Sequence, residues 1–462
     1  RLDGPLLGGT LTVSFLGALD SIKLGENAFS ITEEDLARYT AYGVSPYEPL
    51  KTAFYHGQVG WKGKLNPQMQ LSSSTLLGLE QEVSLFPFDD TLFQLPPLSR
   101  LERQVFGQRL ELTGQSSDKP TWTLGLELRH REAQIRDLTQ LYGSTEPVPE
   151  EESLPTTLLG LYGRAELNLP QQTLIIPELR ASLYGFNGQV VPWLEPRVAF
   201  FQPMPGSWTL KGALGVHGQM PEDRQYADEG NEALKLMKSV QANVGVALPV
   251  APTWNLEAAL FGARMWDLVL QSRDFVVQTT DYGLELTTVR SYDNVPGWGY
   301  GAELSIKRSL TERVQASASY AWTRSLRKLE GQWIPGDYDQ PHTLTAMMST
   351  RLFERLSLSA RFRFSSGQPY TPEEGAWAAM EQGYFPLDGP RNSARYPVYH
   401  QLDIRLDRTV LQERYRVNWY LDLQNVYMAK NPVLQLPSWN YQEVGSQIYL
   451  PIIPTLGAKG EF

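Results

Sequence analysis

The 462-residue sequence contains no cysteine. Disulfides, zinc–thiolate sites and cysteine nucleophiles are thereby excluded. Histidine is scarce: His56, His130, His217, His342 and His400 are the five. They form neither an HxxxH pair nor an HExxH motif, so a helical zinc site is not expected. No GxSxG elbow and no Walker loop occur. Basic residues are outnumbered, 41 against 51 acidic, for a net charge of −10. A chain of that balance has no basic patch to neutralise phosphates, which argues against nucleic acid as a partner. An apolar run of about 18 residues is also missing, hence no transmembrane helix. Any membrane crossing would then need a closed barrel of strands, which also satisfies every backbone group in lipid. From these absences no enzymatic activity, no cofactor and no metal site are expected.

What the sequence has in quantity is period-two alternation. In 314–322, Val314, Ala316, Ala318, Tyr320 and Trp322 share one face of a strand, and Gln315, Ser317 and Ser319 the other. In 356–364, Leu356, Leu358, Ala360, Phe362 and Phe364 oppose Ser357, Ser359, Arg361 and Arg363. Residues 401–407 and 417–423 repeat the theme. Soluble sandwiches alternate too, but with strands of about 5–6 residues. The segments here are longer, as a tilted bilayer crossing of about 9–11 residues requires. About 18 are expected, with 16 or 22 as alternatives. They fall near 9–19, 51–65, 67–80, 104–115, 120–132, 156–168, 172–186, 190–202, 207–217, 234–249, 253–271, 297–309, 312–326, 341–353, 355–367, 398–410, 413–428 and 446–462.

Connection lengths supply a second signal. Short turns such as 65–67, 117–120, 170–172, 204–206, 250–252, 310–312 and 353–354 alternate with long segments at 20–50, 81–103, 133–155, 218–233, 272–296, 327–340 and 368–397. Outer-membrane barrels have short periplasmic turns and long extracellular loops. The expected fold is therefore an all-β, transmembrane, antiparallel up-and-down barrel over 1–462, with both termini periplasmic. Composition alone (11% aromatic, 42% hydrophobic) would equally suit a secreted β-rich or sugar-binding protein. The long loops are acidic and aromatic; 146–152 and 222–229 lack calcium-loop spacing and are expected to be solvated. Gly297-Trp-Gly-Tyr-Gly301 lacks dinucleotide-binding spacing and leads into a strand, so a strand start near the membrane interface is expected.

The candidate functional residues are polar groups opposite an apolar strand face. Arg361 and Arg363 lie on one strand, Asp403, Arg405 and Asp407 on the next, and Asn418, Asp422 and Gln424 on the one after. Lys459 and Glu461 lie on the last. A charge facing lipid costs about 2–4 kcal/mol at midplane, so an inward-facing ladder of mixed sign is expected. It reads either as cross-strand ion pairs or as a wall that docks a plug or guides a polar solute. Trp333, Tyr338, Trp377, Tyr384 and Phe385 in long connections are candidates for a ligand surface or for interface anchors.

Several blocks in residues 297–462 resemble the barrel of TonB-dependent outer-membrane receptors, in particular the myxobacterial-type branch. They are Gly299–Leu304, Ala318–Ser325, Pro335–Leu344, Ser366–Pro372, Pro390–Arg395, His400–Arg405 and Leu421–Val426. The last strand, ending in Phe462, is similar to the signal read by the barrel-assembly machinery. Residues 1–296 fit by strand pattern alone. The resemblance implies uptake of a scarce nutrient through a plugged or gated lumen, driven by a TonB-like energy transducer. It also implies an outer membrane of lipid and lipopolysaccharide around the barrel. The sequence starts at Arg1 with no signal-peptide pattern and no plug segment. A mature or truncated chain is expected, its plug upstream, on a separate periplasmic subunit, or nonexistent. The alternative function is a non-transporting barrel that anchors a surface, secretion or motility complex of the envelope.

Overall fold

A computed structural model describes residues 1–22, 50–85, 98–116, 119–139, 148–225, 233–280, 283–308, 313–379, 383–412, 415–437, 444–448 and 452–461. Eighteen strands of nine residues or more run through them. They are β1 (Gly9–Ile22), β2 (Leu50–Asn66), β3 (Met69–Leu85), β4 (Leu98–Ser116), β5 (Lys119–Thr139) and β6 (Val148–Asn168). Then come β7 (Leu174–Phe186), β8 (Gln189–Met204), β9 (Trp208–Gln219), β10 (Met237–Ala251), β11 (Trp254–Thr280) and β12 (Gly283–Arg308). The last six are β13 (Val314–Leu329), β14 (His342–Phe353), β15 (Leu356–Ser365), β16 (Tyr399–Leu411), β17 (Arg416–Gln424) and β18 (Ile453–Glu461). Each pairs antiparallel with its neighbours in sequence, so one sheet winds from β1 to β18. A short strand, Leu2–Leu6, adds to the start of β1, and another, Gln332–Pro335, to the end of β13. Among the described residues no ladder joins β18 to β1. This is the antiparallel up-and-down arrangement that the alternation predicts.

One face of the sheet is concave. The connection between β9 and β10 reaches residues of β4 and β5, five and four strands back along the sheet, and touches them on a single face. We call that face inner. Leu77, Leu79, Leu124, Leu161, Leu194, Leu260 and Leu304 lie on the opposite, outer face, each about half exposed. In lipid rather than water such a face is the buried one. Tryptophans mark its two rims. Trp61, Trp122, Trp208, Trp254 and Trp419 sit beside the short turns; Trp266, Trp298 and Trp322 sit towards the long connections. From Trp254 to Trp266 along β11 is about 40 Å at 3.3 Å per residue. At a tilt of about 40° this spans some 30 Å of membrane normal, close to the apolar band of an outer-membrane barrel.

The strands outrun the sequence expectation at the long-connection end. Residues 272–296, expected as a loop, continue β11 and β12 as a hairpin through Thr280↔Gly283. Beyond the membrane both faces of a ribbon are wet, so pairing persists while alternation is lost. A bulge after Met265, with Asp267 at φ +54°, marks the change and re-aims the hairpin. The expected last strand over 446–462 divides: Val444–Ile448 belongs to a separate hairpin with Pro432–Pro437, and β18 starts at Ile453. The glycine-rich stretch at 297–301 lies within β12, and Gly301 explains itself sterically. A Cβ there would stand 2.2 Å from the Trp322 carbonyl oxygen and 2.7 Å from the Phe261 ring. Gly301→Val should therefore force the β12–β13 ladder apart and lower the temperature at which the barrel loses its compact mobility on a denaturing gel.

Candidate functional site

The inner face of β15, β16 and β17 carries the expected polar residues in register. Arg361 lies opposite Asp403, Arg405 opposite Asp422, and Asn418 opposite Lys459. Asp403, 5% exposed, is the hub. Its Oδ2 accepts from Arg361 Nε and Nη2 at 3.0 and 2.8 Å, and from Arg363 Nη2 at 3.2 Å. Its Oδ1 accepts from Gln401 Nε2 at 2.5 Å and from the Asn425 backbone N–H at 3.1 Å. A second cluster follows along β16. Arg405 Nε donates to Asp407 at 2.9 Å, and Asn418 Nδ2 donates to the same carboxylate at 2.9 Å. The Arg405 guanidinium lies 3.9 Å from the centre of the Tyr420 ring. That ring in turn covers Gly457 of β18, where a Cβ would stand 2.3 Å from it. This is aromatic cover of a strand glycine. Gly457→Leu should displace Tyr420 and strip the ring from Arg405, with a loss of about 1–2 kcal/mol in barrel stability, read by urea unfolding of the full chain.

A second, larger network covers the inner face of β4 to β9. Glu195 of β8, 2% exposed, accepts from Tyr184 at 3.1 Å, Ser182 at 3.3 Å and the Gly218 backbone N–H at 2.7 Å. Arg180 and Arg197 flank it at 3.3 and 3.5 Å. Arg180 also reaches Glu127 at 2.8 Å, while Tyr162 joins Arg109 and Glu111.

Above this wall the described residues of the β9–β10 connection, 220–225 and 233–236, lie against the inner face; we call them the strap. Asp223, 1% exposed, accepts from Arg103 Nε at 2.8 Å and Arg131 Nη2 at 2.6 Å. Glu80 of β3 extends the line from Arg103 at 3.8 Å to His56 at 3.2 Å. The far end of the strap is held by packing. Leu234 is buried with Leu101, Ala133, Ile135 and Leu154, and Leu236 with Tyr184 and Phe186. Val269 and Tyr292 of the β11–β12 hairpin close over the Leu234 cluster. Across the mouth, Asp339 is fully buried. It accepts from the Ser325 N–H at 2.6 Å, from Arg324 at 3.4 Å and from Arg395. Asn392 donates to the Pro335 carbonyl and to Asp337 at 2.9 and 2.7 Å, and Arg391 donates to the Gln271 carbonyl of the hairpin.

The sequence profile of the family described as "TonB dependent receptor-like, beta-barrel" matches residues 16–427. The chain belongs to this family. Its members are outer-membrane transport proteins rather than enzymes. No curated protein matches the sequence. Among solved structures this receptor-type barrel is similar to the pyoverdine outer membrane receptor FpvA from Pseudomonas aeruginosa, at 10% identity and a TM-score of 0.67, over 100% of this chain and 70% of that one. It is similar to the FrpB iron transporter from Neisseria meningitidis, at 12% identity and a TM-score of 0.61, over 98% and 69%. The copper transporter OprC aligns at 12% identity and a TM-score of 0.63, over 89% and 65%. The chain thus spans just under two thirds of OprC's length, and at these identities the likeness is one of fold.

The TonB-dependent receptor barrel brings together most of the residues singled out in the sequence. Arg361, Arg363, Asp403, Arg405, Asp407 and Asn418 touch one another as described. Asp422 joins Arg361, Asp403 and Arg405 in lining a recess of about 410 Å³. Gln424 and Ile453 are register partners, as are Arg416 and Glu461. Trp333 leaves the lumen altogether and stacks on the outer face; Tyr338 is 83% exposed in the turn before Asp339. Trp377 and Phe385 are backbone partners in the hairpin Glu373–Ala379 with Gly383–Asp388, next to Tyr384; the side chains of all three lie outside the described residues, as does Phe462. The sequence reading missed Asp223, Glu195, Arg180 and Asp339. Asp223 and Asp339 sit in connections, where no periodicity assigns a face. The wall residues sit in strands whose alternation is interrupted by proline and glycine. Blocks 335–344, 366–372 and 390–395, which carried the resemblance, turn out to be the parts that assemble around Asp339.

Proposed function

We propose that this barrel admits a polar solute along its charged inner wall, and that the β9–β10 strap is the gate. The observation that carries the reading is the Asp223 latch. A carboxylate from a connecting segment is buried between two arginines of the inner wall, five and four strands away, which supports a strap on the lumen side of the sheet. The family supplies the rest of the setting: an outer membrane, and a TonB-like transducer acting through a plug on the same or another polypeptide. Short turns and both termini then face the periplasm, the strap and the Asp339 clasp face outwards, and the end of β18 serves the assembly machinery. The structural neighbours are named for iron, pyoverdine and copper. Their ligands suggest a scarce polar nutrient here, and the mixed-sign wall suits such a solute better than an apolar one.

Because the chain has no native cysteine, the gate can be locked selectively. Leu234 and Ala133 share one buried cluster, so a Leu234→Cys, Ala133→Cys pair should crosslink strap to wall. In a planar bilayer the oxidised pair is expected to be non-conducting, and reduction to restore the wild-type conductance. Identical conductance in both states would show that the strap gates nothing. A barrel silent in every state that copurifies with other envelope proteins would favour the anchoring role.

A further inference from the structure

The outer rim at the long-connection end holds a cation in an unusual setting. Arg264 of β11 shares the outer face with Leu260 and lies opposite Trp298 of β12. Its guanidinium carbon is 4.9 Å from the Trp298 ring centre, 5.4 Å from Trp333 and 5.9 Å from Trp266. All three rings are about 40% exposed, on the side that faces lipid. The guanidinium donates to the Gly297 carbonyl at 3.3 Å. Among the described residues it forms no ion pair. Lys328 of β13 stands nearby on the same face, exposed, as register partner of Trp333. The other inner and outer arginines described above are matched by carboxylates or by a single ring. This one is held by three rings and a backbone carbonyl.

We propose that Arg264 and Lys328 form a binding site for the phosphate of an anionic lipid headgroup, in the leaflet at the long-connection end. The physical reasons are these. A cation on a lipid-facing surface is costly unless it reaches the headgroup region, and such a residue marks a site more often than it marks nothing. Trp266, Trp298 and Trp322 put Arg264 at that level. Tryptophan rings attract the cation through their faces; the Gly297 carbonyl takes an Nη1–H, and the other N–H groups of the fork remain for a ligand. That planar fork matches two phosphate oxygens at once, and a lysine beside it adds a point charge. The rings themselves supply an apolar floor for the first carbons of the acyl chains. A lipid is favoured over free phosphate because the cage opens onto the bilayer and not into the lumen. The site is argued from the outer face alone and stands whether or not the strap is a gate.

The test is native mass spectrometry of the full chain in neutral detergent, titrated with lipid A and with dephosphorylated lipid A. Wild-type protein is expected to bind the phosphorylated lipid about tenfold more tightly, the worth of one bidentate charged contact. Arg264→Gln should abolish that preference, Lys328→Gln should reduce it about threefold, and Arg264→Lys should fall between. Heat-modifiable gel mobility confirms that each variant is folded; should Arg264→Gln fail, Arg264→Lys and Lys328→Gln decide the matter. Equal binding of the two lipids, or an unchanged preference in Arg264→Gln, would overturn the proposal. So would displacement of the lipid by inorganic phosphate at equal concentration, which would make this a free-phosphate site.

Discussion

Asp223→Ala is expected to open the barrel. The substitution leaves Arg103 and Arg131 facing each other across a vacated site, with 23% and 31% of their side chains exposed. Breaking a buried ion pair from one side costs about 3–5 kcal/mol, and the lower end applies because both arginines keep some water. The cost falls on the docked strap alone, since an undocked strap lets both arginines hydrate. A shift of about 3 kcal/mol raises the undocked population roughly a hundredfold. In a planar bilayer the expected signature is a strong rise in open probability with unchanged unfolding of the strands. In cells it is sensitivity to large antibiotics that the outer membrane normally excludes. Asp223→Asn should give a smaller effect in the same direction, because an amide oxygen still accepts from one arginine. If both variants conduct like wild type, the latch does not close the lumen.

Asp339→Ala is expected to undo the clasp at the other side of the mouth. Asp339 accepts a backbone N–H and two arginines from two separate segments: Ser325 and Arg324 on β13, and Arg395 beyond β15. Removing the carboxylate leaves Arg395 with the Gly367 carbonyl at 3.2 Å and the residue 339 carbonyl as acceptors. The loss is again of order 3 kcal/mol. It is local, so it should appear as faster tryptic cleavage after Arg391 and Arg395 rather than as a lower barrel melting point. Cleavage through local opening follows the open population, so a rise of about a hundredfold is the expected size. Arg391 links this clasp to the β11–β12 hairpin through Gln271. The hairpin should therefore loosen with it, and Val269 with Tyr292 should protect the strap less well.

The barrel was legible from single residues in order. Leu356 to Phe364 alternate because one face meets lipid and the other meets polar neighbours, and only a strand has that period. The same rule placed Arg361, Asp403, Arg405, Asp407 and Asn418 on one face before any pairing was known, because a charge facing lipid is costly away from the interfaces. It could not say which charge meets which. The pairing Arg361↔Asp403 depends on the register of β15 against β16, and those strands are joined by the long connection 366–398, where no short turn sets the register.

The strap and the clasp were not legible at all. Asp223 lies in an acidic stretch that reads as a solvated loop, and solvation is what local sequence predicts. Its burial follows from curvature: bending a sheet inward brings β4 and β5 under a segment that leaves β9, with Asp223 120 residues after Arg103 and 92 after Arg131. The Arg264 site divides in the same way. Its arginine and tryptophans were visible as letters, but Trp333 is about 70 residues from Arg264 and was assigned to a loop surface. Alternation decided the fold, since the solvent on each side of the wall acts residue by residue. Contacts across the curve decided the strap, the clasp and the cage, since those energies belong to residues that meet only after the sheet has bent.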